Sequence, residues 1–296
     1  MENGSSSDDD ESEKRSTTSK RDEEGTYLSL CNDLRATPCG PLRVALRNRQ
    51  QTNLALPHRG LGPTHAAPVL RLLAHNTHLR SANLSHNRLG VGADHFDDLA
   101  TFVRRNATIS ELNLANNALS VRGCEALAEA LGDNGPLRVL SVRANFATDR
   151  GATALFRAAG RSGTRLRVLD LADNGVTDAA AAALGALLGG GSALRELDVS
   201  WNTLRGAGAA LVADGLVVSS LTRLSLAWNS VGDEGAAALA AALADNNALE
   251  TLDLSSNDIG EAGALELASA VATNSTLRSL QLASNPLGEA GVAALV

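Results

Sequence analysis

The chain has 296 residues, 44% hydrophobic and 2% aromatic, with a formal net charge of −7. Residues 1–24 hold nine acids against four bases, −5 in all, which leaves −2 for the rest. A body this close to neutral has no basic excess with which to neutralise phosphates, so nucleic-acid binding is excluded as a reading.

The opening MENGSSSDDDES has no apolar core and is not a secretory signal. No apolar run reaches membrane-spanning length, because AAAALGALLGGGSAL (180–194) is short and broken by glycine, so no membrane association is expected. Cys31, Cys39 and Cys124 are odd in number and contain no CxxC pair, which indicates neither a disulfide framework nor a zinc site. The address these features suggest is the cytoplasm, with the nucleus or a cilium as alternatives.

Residues 1–25 are too polar to fold and read as a disordered, acidic, Ser-rich tail. Ser5, Ser6 and Ser7 each have an acid three residues on, a spacing that suits acid-directed kinases, and the KR pairs at 14–15 and 20–21 weakly suggest nuclear import. A plain solvating tail is the preferred reading. Residues 26–52 are expected to form an N-terminal cap.

From residue 53 to 296 the chain repeats. The segments LRSANLSHNRL (79–89), ISELNLANNAL (109–119), LRVLSVRANFA (137–147), LRVLDLADNGV (166–176), LRELDVSWNTL (194–204), LTRLSLAWNSV (221–231), LETLDLSSNDI (249–259) and LRSLQLASNPL (277–287) share the form LxxLxLxxNxL. Their asparagines are Asn87, Asn117, Asn145, Asn174, Asn202, Asn229, Asn257 and Asn285, at spacings of 30, 28, 29, 28, 27, 28 and 28. A degenerate ninth unit, NLALPHRGL (53–61), puts Arg59 in the Asn place. Terminal repeats are often atypical in this way. After each Asn the hydrophobic period changes from 2 to 3.6, so each unit is a short strand, a loop and a helix of about ten residues. The last unit ends inside its helix without a polar cap. This suggests either a fragment of a longer chain, which is favoured, or an end that a partner covers.

This LxxLxLxxNxL pattern is that of leucine-rich repeats. The repeat length and the GAxxLAxAL helix resemble the ribonuclease-inhibitor type, shared by the C-terminal arrays of NOD-like receptors and by Ran GTPase-activating proteins. YLSLC (27–31), NLALPHRGLGP (53–63) and LRELDVSWNTLRGAGA (194–209) resemble segments of the animal leucine-rich repeat-containing 74 proteins, and the order of elements agrees from Tyr27 onward. The fold class expected is α/β: a horseshoe-shaped solenoid with a parallel β-sheet on the concave side and helices on the convex side. The resemblance implies an architecture more than an activity.

The Asn row reads as structural, since a buried amide can serve the backbone groups where the chain leaves the sheet; Asn202 and Asn229 are expected to be fully hidden. Leu197 and Val199 should point into the core, and Glu196, Asp198 and Ser200 outward. The outward row four before each Asn holds Asp170, Asp198 and Asp253, which makes the concave midline acidic. Like charges one rung apart repel. Either a basic partner element compensates them, or water screens them with help from Arg223 opposite Asp198.

The row one before the Asn reads His58, His86, Asn116, Ala144, Asp173, Trp201, Trp228, Ser256, Ser284. Its two tryptophans, the only ones in the chain, should lie about 5 Å apart on adjacent rungs, within stacking range. They read either as rim packing or as a recognition hot spot. His58 and His86 should also face each other and could form a pH-sensitive contact. His75 and His78 lack a third metal ligand and read as solvated surface near a helix end. No GxSxG, HExxH or P-loop occurs, so no catalytic residue, cofactor or metal is assigned.

The function expected is a non-enzymatic protein-interaction scaffold. Its partner, carrying a basic or extended element, would engage Trp201, Trp228, Asp170, Asp198, Asp253, Glu196 and Arg223. The alternatives are a GTPase-activating protein like the Ran activators, with Arg143 as its candidate arginine, or a cytoskeletal or axonemal assembly component. The oligomeric state stays open.

Overall fold

The computed structural model describes residues 23–62, 64–92, 96–132 and 134–296. The serines and basic pairs of the expected tail lie outside these residues. The tail boundary itself is corrected. Residues 23–25 begin helix α1 (23–33), where Glu24 forms ion pairs with Arg43, at 2.8 Å, and with Arg47. Both arginines lie on α2 (Gly40–Arg47), which starts with proline in its first turn, where the missing amide costs nothing. Tyr27, Cys31, Leu42 and Leu46 of the two helices are buried and join the main core, and the Cys39 amide donates to the Tyr27 hydroxyl at 2.8 Å.

Strands and helices then alternate without exception. They are β1 (Asn53–Ala55), α3 (Ala66–Leu73), β2 (Ser81–Asn83), α4 (Phe96–Arg105), β3 (Glu111–Asn113) and α5 (Ser120–Leu131). Next come β4 (Val139–Ser141), α6 (Thr148–Ala159), β5 (Val168–Asp170), α7 (Asp178–Gly189), β6 (Glu196–Asp198) and α8 (Gly206–Leu216). The series closes with β7 (Arg223–Ser225), α9 (Gly232–Asp245), β8 (Thr251–Asp253), α10 (Glu261–Thr273), β9 (Ser279–Gln281) and α11 (Gly288–Leu295). Helix lengths vary with the unit, from 8 residues in α3 to 14 in α9, rather than holding at ten.

Among the described residues nine strands form one open sheet, parallel and in chain order. The register never slips: Leu54, Ala82, Leu112, Leu140, Leu169, Leu197, Leu224, Leu252 and Leu280 form one transverse row. Because side chains alternate along a strand, this row faces the helices and its neighbours face the other side. Strands stack about 4.8 Å apart, whereas helices need 8–10 Å. The helical layer is therefore the longer one, and the sheet becomes the inner surface. Where helices come closest they do so without side chains. A Cβ on Gly215 of α8 would lie 2.1 Å from the Gly185 carbonyl oxygen of α7. Among the described residues no helix is long and apolar enough to cross a membrane.

The Asn row holds the units together. The Asn174 side-chain amide donates to the carbonyls of Leu171 and Ala172 in its own unit and of Val142 in the unit before, each at 3.0 Å. Its oxygen accepts the amides of Asn145 and Ala147, each at 3.1 Å. One buried side chain thus serves five backbone groups that have left the strand ladder, three of them in the preceding unit. Asn202 and Asn229 do the same job but keep 7% exposure each, so they are buried without being fully hidden. Arg59 can replace Asn in the first unit because, among the described residues, no earlier strand presents carbonyls to serve. Its backbone amide still donates to Asn87, at 2.8 Å.

A second polar row runs along the other turn, from helix back to strand. Asn106 donates to the carbonyls of Leu73 and Asn76 and accepts the amides of Thr108 and Ile109. Asn246 and Asn274 repeat this bonding. The row is signalled by an Asn three residues before the first Leu of a unit. It lapses at Gly163, Gly191 and Val218 in the central units.

Removing a middle rung should cost far more than removing an end one. Asn174→Ala is expected to lose about 3 kcal/mol or more in urea denaturation, since buried polar groups left unpaired cost roughly 1–3 kcal/mol each. Asn285→Ala, at a partly exposed rung that water reaches, should lose about 1 kcal/mol. Equal losses would refute the ladder as the main tie. For the helical layer, Gly215→Ala should cost about 2 kcal/mol by overpacking. Gly135→Ala, whose added Cβ would meet nothing within 4 Å, should leave the melting temperature unchanged.

Candidate functional site

Each unit leaves the sheet by the same backbone move. The residue before the ladder Asn is left-handed in every unit, with φ of 55° at His58, 58° at His86, 56° at Asn116, 54° at Ala144 and 55° at Asp173, Trp201, Trp228 and Ser256. Its amide still donates to the next unit, as from Trp201 to the Ala227 carbonyl at 2.9 Å and from Trp228 to Ser255 at 2.8 Å. The kink turns the Asn inward and throws the preceding side chain out onto the rim. A left-handed conformation costs an ordinary L-residue about 1–2 kcal/mol. Asn and Asp tolerate it best, so Asn116 and Asp173 fit their positions. Trp201 and Trp228 do not, and they hold this conformation at a cost.

Because the rungs are in register, side chains of this row stand parallel. Trp201 and Trp228 stack with ring centroids 4.2 Å apart and planes 11° apart. Yet they remain 48% and 50% exposed, since Asp173 and Ser256 on either side are too short to cover them. His58 and His86 stack in the same way at 4.2 Å and 15°. The sequence reading missed a third rim aromatic. Phe146, one after Asn145, is also left-handed at 57° and is 69% exposed. The signal was present, because the place after the Asn is otherwise Arg, Ala, Gly, Thr, Ser, Asp or Pro.

Inside the rim, β5 to β9 line an open groove of about 360 Å³ whose walls include Asp170, Glu196, Asp198, Arg223 and Asp253. Each aspartate closes a turn on its own backbone. Asp170 accepts the Ala172 amide at 3.0 Å, Asp198 the Ser200 amide at 2.9 Å and Asp253 the Ser255 amide at 2.9 Å. On β2 and β3 the neutral Asn83 and Asn113 make the same bond. The bond therefore needs a side-chain oxygen but no charge. Asp170 also accepts the Ser141 hydroxyl at 2.7 Å. Burial pushes its carboxyl above the usual range and nearby Asp198 adds to this, while the hydrogen bonds from Ala172 and Ser141 oppose it.

Three expectations need correction. Arg223 lies opposite Glu196, not Asp198, because parallel register matches like positions; the two form a 3.2 Å ion pair. The cation near Asp198 is Arg143, two rungs away, at 4.0 Å. Both pairs are solvent-exposed and contribute about 0–1 kcal/mol. Ser200 is buried rather than exposed, as are Ser85, Ala172 and Ala227 of the same row. His75 is exposed just past the end of α3, as expected, but His78 is not solvated surface. It sits half-buried between cap and repeats, with Nδ1 3.0 Å from the Asn76 side chain and 3.5 Å from Glu23, and Nε2 3.3 Å from the Ala45 carbonyl. No cluster of three or more His, Cys, Asp or Glu among the described residues could hold a metal.

A family model described as Leucine Rich repeat matches residues 75–92, 105–128, 164–185, 193–213, 219–240, 245–268 and 273–296, more than half of the chain. No curated protein matches the chain. Among solved structures it is similar to the leucine-rich repeat-containing protein LegL7 from Legionella pneumophila, at 18% identity, over 80% of this chain and 76% of that one, with a TM-score of 0.52. It is also similar to a TLR13–ssRNA13 complex, at 19% identity over 73% of this chain and 34% of that one, with a TM-score of 0.39. The tropomodulin C-terminal domain of Caenorhabditis elegans matches at 16% identity over 60% of this chain and 92% of that one, with a TM-score of 0.39. At these identities the LegL7 likeness speaks to fold alone. With its units matched in sequence and folded into register-locked rungs, the chain belongs to the leucine-rich repeat proteins.

Proposed function

We propose that the protein is a non-enzymatic scaffold that holds a basic, extended element of a partner protein in its concave groove, with Trp201 and Trp228 as rim anchors. The Trp stack carries this reading. Two large apolar rings stand half-exposed, outside the core cluster, at left-handed positions where Asn, Asp or Ser would sit with less strain. Exposed aromatic anchors beside complementary charge are what binding hot spots are made of. Asp170, Glu196, Asp198 and Asp253 supply that charge, and Arg143 and Arg223 offset it only in part.

The finer resemblance to the ribonuclease-inhibitor type and to the leucine-rich repeat-containing 74 proteins is compatible with such a role and adds no activity of its own. A GTPase-activating role has less support, because Arg143, its candidate arginine, leans toward Asp198. A reducing compartment, the cytoplasm first, suits three unpaired cysteines.

Affinity capture with mass spectrometry, comparing wild type with the Trp201→Ala/Trp228→Ala double variant, identifies the partner and tests the anchors together. The double variant should weaken binding at least roughly ten-fold, a typical hot-spot loss, with an unchanged circular dichroism spectrum. Retained binding, or loss of the fold, would sink the anchor role. Asp170→Asn should separate charge from structure. Because burial raises the folded-state pKa of Asp170, the stability its carboxyl contributes is complete below the ordinary carboxylate pKa and is lost as pH rises through the raised value. The Asn variant, which can make the same turn bond, should therefore melt higher than wild type at pH 7. The gap should close in acid, while partner affinity falls. A variant less stable at pH 7 than wild type would contradict this.

A further inference from the structure

The Trp pair leaves two ring faces unused. The inner faces cover each other at 4.2 Å, so the outer face of Trp201 looks back along the row to Asp173, one rung earlier. Asp173 is exposed and left-handed, and its backbone amide donates to the Ser200 carbonyl at 3.0 Å. Its carboxylate has no hydrogen-bond or ion-pair partner among the described residues. Rungs are about 4.8 Å apart, and an aspartate side chain ends well short of an indole. The outer part of the Trp201 face is therefore open, with an uncompensated carboxylate at its base. The turn accounts for an Asp at this φ. It does not account for a bare indole face beside it.

We propose that this notch binds an arginine side chain of the partner segment, with the guanidinium stacked on Trp201 as the next plane of the row and its N–H groups directed to Asp173. The inference rests on the scaffold reading and names the chemistry of its contact. A planar, weakly hydrated cation suits a slot whose walls are parallel planes, and its forked donors match a carboxylate two-to-two. A lysine ammonium would satisfy the charge but lies flat on nothing and keeps its water. An aromatic ring from a partner would stack equally well, yet it would leave the Asp173 carboxylate without a partner. The Trp228 end of the stack faces Ser256 and offers no charge in the same row. The preference thus belongs to one end only. The same two rungs carry Asp170, Glu196 and Asp198 in the adjoining groove, so residues flanking the arginine would run over acidic ground.

Trp201 and Trp228 are the only tryptophans, so a proton–nitrogen NMR spectrum of the full chain contains two indole N–H peaks, both from this rim. The probes are the acetylated, amidated peptide Gly-Gly-Arg-Gly-Gly and its lysine and citrulline counterparts, with peaks assigned through Trp228→Phe. The arginine peptide should shift the Trp201 peak saturably and the Trp228 peak less. Lysine should bind roughly five-fold more weakly, and citrulline more weakly still. Asp173→Asn, which keeps a residue suited to left-handed φ as at Asn116, should reduce arginine binding to the citrulline level with the stack intact. Equal binding of arginine and lysine, indifference to Asp173→Asn, or no shift at any arginine concentration overturns the proposal. If capture of a protein partner needs both tryptophans but ignores Asp173→Asn, the scaffold reading survives and the arginine notch alone fails.

Discussion

A buried asparagine amide, with two donors and an acceptor at one site, is the constraint from which the rest of this molecule follows. Each strand has only three residues, too few for strand pairing alone to secure the stack. Where the chain turns in behind the strand, backbone groups of two successive units lose their partners at the same place. Asn174 serves five of them at once. No other side chain of that size both donates twice and accepts.

The amide has to reach that point, and this fixes the backbone before it. A left-handed residue is needed in every unit, and the side chain it carries is thrown outward in register with its neighbours. The rim is thus a by-product of the interior: a row of parallel side chains that the core does not use and whose identity is free to vary. Small or turn-adapted residues fill most of it. The exceptions are the stacked imidazoles of His58 and His86, the two stacked indoles, and Phe146 in the next row; the indoles share their rungs with groove residues. Structural need and available surface are separated by one residue along the chain.

The aspartates of the groove show the same division within a single side chain. One oxygen of each closes a backbone turn that Asn83 and Asn113 close without charge. The negative charge is surplus to folding, and at Asp170 it works against burial. The charge there, like an aromatic where Asn would be less strained, is not something the turn requires.

Much of this was legible in the sequence because the repeat is a one-dimensional signal. The eight asparagines, the strand–helix alternation, the common register and the adjacency of Trp201 to Trp228 all follow from spacing, since a solenoid places residue i beside residue i+28. Contacts that break the repeat were not legible. Arg223 reaches Glu196 rather than Asp198, and Arg143 spans two rungs, because long flexible side chains choose among several partners within reach. His78 is held by Glu23 and Ala45 across the cap, where no repeat operates. The exposure of the Trp faces depends on how short Asp173 and Ser256 are once stacked. By itself the sequence determined the ladder, the turn and the row each side chain occupies, because these are local and repeated. Only the tertiary structure decided which of those side chains are covered, paired or left open, because that depends on the distance between rungs and on what the neighbouring units happen to carry.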